Sequence, residues 1–195
     1  MRDVEQQVRA CLHAGEHETA VTTALRHYGP EICGFLVATE RNEDSGSEIF
    51  AQFCEDLWRG IASFRGEASF RTWAYALARH AQSRYHRDPY RRRVAALDSR
   101  IAAAVEEVRT STLDYLRSEA REGVAKLRSE LDPDEQALLV LRVDRGMAWR
   151  DVARILDESE DDLDRRAAVW RKRYERVKER LRALAERDGL LPRRS

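Results

Sequence analysis

An all-α protein of two small helical domains joined by a linker is what this sequence predicts, on three observations. Charged residues make up 36% and hydrophobic residues 43% of 195 positions, with only 9 Gly and 4 Pro, the profile of a well-solvated helical chain with few turns. Apolar side chains recur at spacings of three and four in two separate regions. Between these lies a stretch, about 90–130, rich in Ala, Glu and Arg and poor in large apolar groups. The expected division is therefore a first domain over 1–90, a linker over 91–130 and a second domain over 131–195.

The elements follow in order. Val4, Val8, Cys11 and Leu12 mark a first helix, and Ala20, Ala24, Leu25 and Tyr28 a second. Gly29-Pro30 predicts a break, after which Ile32, Phe35 and Leu36 begin another stripe. The polar run Asn42–Ser47 predicts a turn ending in an N-cap. The next helix sets Ile49, Phe53 and Leu57 on one face, beside Phe50 and Trp58. Gly60 and Gly66 bracket a short connection around Phe64, and a long helix from about Ser69 to Arg87 stops near Asp88-Pro89. In the second domain Asp132-Pro133 reads as an N-cap with Pro at the first helical position. Leu138, Leu139 and Leu141 fill one face of that helix, which Arg145-Gly146 ends, and Trp149, Val152, Ile155 and Leu156 make a second. Ser159 is the expected cap of a third, in which Leu163, Ala167, Trp170, Tyr174, Val177, Leu181 and Leu184 alternate spacings of four and three. Helix, tight turn and longer basic helix is the plan of a helix-turn-helix unit.

The formal net charge is zero, but the charge is unevenly spread. Arg79 to Arg93 contains six Arg and one Asp, and Arg165 to Arg182 nine Lys or Arg against two Glu. The latter run follows the acidic segment Glu160-Asp161-Asp162-Leu163-Asp164, whose simplest role is to complement a helix N-terminus. Cys11, Cys33 and Cys54 form no CxxC pair, so neither a disulfide framework nor a zinc site is expected, and a reducing cytoplasm fits. His13 and His17 stand at i, i+4 with no third ligand in view, so no metal is assigned. No apolar run reaches membrane-spanning length, and the charged N-terminus is not a signal peptide. Without a nucleophile–base set, a Gly-rich phosphate loop or a carboxylate pair, the chain reads as a binding protein, not an enzyme, with no cofactor.

The stretch from Phe64 to Arg79 interleaves rings with guanidinium groups and opens on a glycine turn. Rings stack on exposed bases and guanidiniums hold phosphates, so this mixture suits single-stranded nucleic acid. Trp58, Trp73, Trp149 and Trp170, which lie on apolar stripes, are expected to pack in cores.

These residues resemble a bacterial RNA polymerase sigma factor of the extracytoplasmic-function class, which keeps only regions two and four of the larger sigma factors. Ser63–Arg87 is similar to the promoter-melting part of region two, and Leu131 to about Leu184 to region four. The resemblance implies a subunit that binds core RNA polymerase, directs it to promoter DNA and melts the minus-ten element. It implies polymerase docking through the segment Glu48 to Arg59, with Glu48, Ile49, Gln52, Glu55, Asp56 and Arg59 as contacts. Phe64, Arg65, Phe70, Arg71, Arg79, His80 and Arg84 would lie near the melted strand, and Arg165 and Arg166 would read guanine edges of a minus-thirty-five element. It also leaves room for an anti-sigma partner. Three positions depart from the family: Ser45–Glu48 with Ala51-Gln52 stand where an acidic run and a Gln-Glu pair are usual, His80 where asparagine is common, and acids open the recognition helix. Those acids leave a second reading open, a sigma-like regulator that binds polymerase or another partner without conventional promoter recognition.

Overall fold

The computed structural model describes residues 2–87, 99–118, 127–157, 159 and 162–192, and all their regular structure is helical. The chain forms two compact units, Met1–Ser118 and Glu119–Ser195.

The first unit contains α1 (Arg2–His13), α2 (His17–Glu40), α3 (Glu43–Gly60), a 3₁₀ turn (Ile61–Ser63), α4 (Phe70–Arg87) and α5 (Ser99–Ser118). Its core is built on α2, whose Leu25, Ile32, Phe35 and Leu36 are fully buried with Ile49, Phe50, Phe53 and Leu57 of α3 and Phe70 and Tyr75 of α4. The expected break at Gly29-Pro30 does not occur, and α2 runs through both residues. Gly29 is instead a contact point: a Cβ there would lie 2.8 Å from Val108 Cγ1 of α5, so the missing side chain is what lets the helices meet. Arg41, in the left-handed region at φ 54°, ends α2 by donating its N–H to Val37 O. The polar run after it is already helix. Asn42 is the N-cap of α3, accepting from Ser45 N–H at 2.8 Å. Gly46 lies inside α3, where a Cβ would meet the Val37 backbone at 2.8 Å.

The expected linker is in part a packed element. Over Ser99–Ser118 the chain is α5, which lies on α2 and α3 and buries Ile101, Ala104, Val105, Val108 and Thr112. Small and β-branched residues at helical spacing suffice here because Gly29 brings the partner backbone close. The expected stop at Asp88-Pro89 and the cluster Arg91–Arg93 lie outside the described residues.

The second unit contains α6 (Pro133–Leu139), continued by a widened π turn over Val140–Asp144, then α7 (Trp149–Leu156) and α8 (Leu163–Arg187). Asp132 and Glu135 form a reciprocal capping box at 2.8 and 3.0 Å, with Pro133 at the first helical position. Gly146, at φ 63°, makes the left-handed turn into α7. The cap of α8 is Asp162, not Ser159: its Oδ1 accepts from the N–H groups of Asp164 at 3.0 Å and Arg165 at 3.2 Å. Glu160 and Asp161 lie outside the described residues. Trp170 is buried, while Trp58, Trp73 and Trp149 are half-buried.

Candidate nucleic-acid interface

Helix α4 is started by two groups, one local and one remote. The first N–H groups of any helix lack intrahelical partners. Here Ser69 Oγ accepts from Thr72 N–H at 3.0 Å, a local cap. The two amides before it donate to a single carboxylate on α1: Phe70 N–H to Glu5 Oε2 at 2.9 Å and Arg71 N–H to Glu5 Oε1 at 3.0 Å. Tyr28 Oη donates to the same oxygen at 3.3 Å. Burial, reinforced by the Glu5 carboxylate, pushes the Tyr28 phenol above its ordinary range, which keeps it a donor. Sequence reasoning missed Glu5, because a cap from 65 positions away leaves no local spacing signal.

The loop that enters α4 is held by rings. Phe64 meets Phe70 edge-on at 5.2 Å between centroids and Trp73 at 5.2 Å, while Phe70 and Trp73 lie 5.3 Å apart. Phe64 stays half-buried and Arg65 is exposed. Gly66, at φ 74° with open space where a Cβ would project, turns the chain back towards the helix. An open cleft separates this loop from the end of α1 and the start of α2, with Arg9, His13, His17, Phe64 and Arg65 among its walls.

The proposed strand-facing residues divide. Phe70 is corrected to a core residue, since none of its surface is exposed. Arg71 is corrected to a structural cation. Its Nε and Nη2 donate to Glu31 Oε1 and Oε2 at 2.6 and 2.7 Å, with side-chain exposures of only 14% and 16%. The hydrogen bond to Glu31 raises the Arg71 guanidinium above its ordinary value. Arg79 is half-buried and donates to Gln82 Oε1 at 2.6 Å, and Gln82 in turn donates to Thr39 Oγ1 at 2.9 Å. His80 and Arg84 are exposed, Arg84 being ion-paired with Asp56. With Trp73 and Leu77 they follow one stripe at spacings of four, three and four, so a partly exposed ridge runs from Phe64 and Arg65 along α4.

On α3, Ile49 is corrected from polymerase contact to core, being fully buried. Glu48 is exposed and accepts from Tyr85 Oη at 2.9 Å, and Glu55 pairs with Arg59 at 2.6 Å. Gln52 and Asp56 are half-exposed and Arg59 exposed.

In the second unit Arg166 is corrected from base reader to a closing cation of the α7–α8 turn. It donates to the carbonyls of Ala153 at 3.0 Å and Asp157 at 3.1 Å and to that of Ser159, and it faces the Asp157 carboxylate at 3.3 Å. Arg165 is exposed, and with Val169, Lys172 and Arg176 it forms an outward stripe of α8. On the adjoining face Arg173, Arg180 and Arg187, seven residues apart, pair with Asp132, Glu135 and Glu130.

Among the described residues no cluster suits a metal ion, and no helix is long and apolar enough to cross a membrane. Residues 24–93, the segment that carries the ridge, match the family model described as sigma-70 region 2. Three curated proteins are similar over most of this chain. The RNA polymerase sigma factor YlaC of Bacillus subtilis is 23% identical over 142 residues, 72% of this chain and 82% of that protein. The ECF RNA polymerase sigma-E factor of Haemophilus influenzae is 26% identical over 145 residues (71% and 76%). The RNA polymerase sigma-H factor of Pseudomonas aeruginosa is 23% identical over 163 residues (80% and 83%). The chain thus carries a sigma-70 region 2 segment and is similar over most of its length to RNA polymerase sigma factors, one of them of the extracytoplasmic-function class. No solved structure matches it.

Proposed function

We propose that the first unit docks on core RNA polymerase through the exposed side of α3 and melts the minus-ten element with the ridge that begins at Phe64. The observation that carries this reading is the continuity of the ridge: a half-exposed ring and a free guanidinium on a rigid loop, then Trp73, His80 and Arg84 along one helix face. Rings on such a loop offer a stacking surface to an unpaired base, which recovers part of the few kcal/mol that unstacking costs. Phe70 and Arg71 serve by holding the loop and helix in place. His80 presents ring nitrogens where an amide is usual in the family, so it supplies a different hydrogen-bonding pattern to the strand.

The second unit is read as region four. Arg165, Val169, Lys172 and Arg176 would face duplex DNA at a minus-thirty-five element, an apolar side chain between cations suiting a thymine methyl beside phosphates. The role is recognition without catalysis, in the cytoplasm with the polymerase. An anti-sigma partner belongs to this reading, and a pull-down from native cytoplasm tests it. In vitro transcription with core enzyme and a promoter library tests the whole. Start sites that depend on the protein are expected, and their absence together with absence of core binding would refute it.

A further inference from the structure

We propose that α1, which lies outside the matched region 2 segment, forms the second wall of the strand-capture site. Arg9 and His13, with His17 at the start of α2, hold the phosphates of a single-stranded nucleotide whose base stacks on Phe64. The inference rests on the reading of the Phe64 loop as strand-capturing and adds to it a set of contacts from a different element.

Three observations carry it. The first is placement: Arg9, His13 and His17 line the same cleft as Phe64 and Arg65. The second is charge. The chain has 35 basic and 35 acidic residues, and most arginines of the first unit near α4 are tied to acceptors: Arg71 to Glu31, Arg84 to Asp56, Arg79 to Gln82. The side chains of Arg9, His13, His17 and Arg65 have no hydrogen-bond or ion-pair partner among the described residues, and the cleft is lined by no carboxylate. Guanidinium and imidazole N–H groups left unsatisfied around a half-exposed ring are the donor set that a phosphodiester requires. The third is rigidity. Glu5, Arg9 and His13 follow one stripe of α1 at i, i+4 and i+8. The Glu5 carboxylate binds the first turn of α4, so the donors on that stripe are fixed relative to the loop they face. A cleft whose two walls are locked together needs little ordering when a strand enters.

The test uses the full chain assembled with core polymerase and a fluorescein-labelled, mixed-sequence DNA single strand, followed by anisotropy across a KCl series. Arg9→Ala should weaken binding several-fold and reduce the slope of log affinity against log salt by roughly 0.7, the value for one lost phosphate contact on a single strand. Arg9→Ala/His13→Ala should lose more. Arg26→Ala removes an exposed arginine elsewhere on α2 and should leave the slope unchanged. Arg9 is exposed, so the thermal midpoint should stay put. Unchanged slope and affinity in Arg9→Ala, while Phe64→Ala and Arg65→Ala weaken binding, would overturn the role of α1 and leave the loop reading intact. An equal effect from Arg26→Ala would overturn it as diffuse charge. No strand binding by the wild-type assembly beyond that of core alone would overturn both readings together.

Discussion

Replacing Glu5 by alanine should unfasten the start of α4, and the structure sets the size of the effect. The carboxylate accepts two backbone amides and one phenol, at 2.9, 3.0 and 3.3 Å, in a half-buried setting. A hydrogen bond to a charged acceptor contributes about 1.5–3 kcal/mol when water is excluded, and less where water can replace the acceptor. Loss of an ordinary N-cap costs about 1 kcal/mol. Removing the negative charge from the N-terminus of α4 forfeits a further ~0.5 kcal/mol. Two half-buried amides losing a shared acceptor therefore place Glu5→Ala at roughly 2–3 kcal/mol of destabilisation in the first unit. At about 3 °C per kcal/mol for a chain of this size, its melting transition should fall by several degrees. Glu5→Gln keeps one acceptor oxygen and should lose about half as much. Differential scanning calorimetry on the full chain measures both, resolving the two units if they unfold separately. Open-complex formation should fall in step, because the loop carrying Phe64 is anchored on the same turn. A loss below about 0.5 kcal/mol in Glu5→Ala would refute the reasoning, since surface changes of no structural consequence fall in that range.

Other outcomes follow from the same geometry. A double-mutant cycle on Arg71 and Glu31, read by urea unfolding, should give a coupling of about 1–3 kcal/mol, because the pair is bidentate and largely shielded. Arg71→Ala should therefore lower stability at least as much as it lowers promoter melting. Arg166→Ala strips the donor that closes the α7–α8 turn and should cost about 2 kcal/mol, whereas Arg165→Ala should stay within about 0.5 kcal/mol and act only on duplex DNA binding. Burial pushes the Cys33 thiol from its ordinary 9.0 up to about 12. The unfolded chain ionises first, so the stabilisation from the neutral buried thiol is complete below pH 9 and declines as pH rises towards 12. Denaturation midpoints over that alkaline range should fall less steeply in Cys33→Ala than in the wild type.

Local chemistry was legible wherever one residue acts on its near neighbours. Asp132-Pro133 started α6, and the apolar repeat from Leu163 onward marked α8, because capping and helical periodicity are properties of a few consecutive residues. The same local rules misjudged Gly29-Pro30 and Gly46. Glycine marks a turn in isolation, but in contact with Val108 or the Val37 backbone it is a helix position from which a side chain has been removed. The linker was misjudged over Ser99–Ser118 for a related reason: alanine and valine make a weak stripe on their own and a sufficient one against a glycine-lined helix.

The site shows the same division. From the residue types alone, the chain could be read as all-helical and the Phe64–Arg79 stretch as a mixture of rings and guanidiniums suited to a melted strand, since helical period and side-chain chemistry are carried by the sequence itself. Which guanidiniums are free was decided only in three dimensions. Arg71, Arg166 and Arg9 are alike as residues. Two are consumed because folding brings Glu31 or the carbonyls at the end of α7 within hydrogen-bond reach, and one is left facing a cleft because no acid arrives there. An ionic partner is a matter of distance in space, and distance across 40 or 65 positions of sequence exists only after the helices have packed.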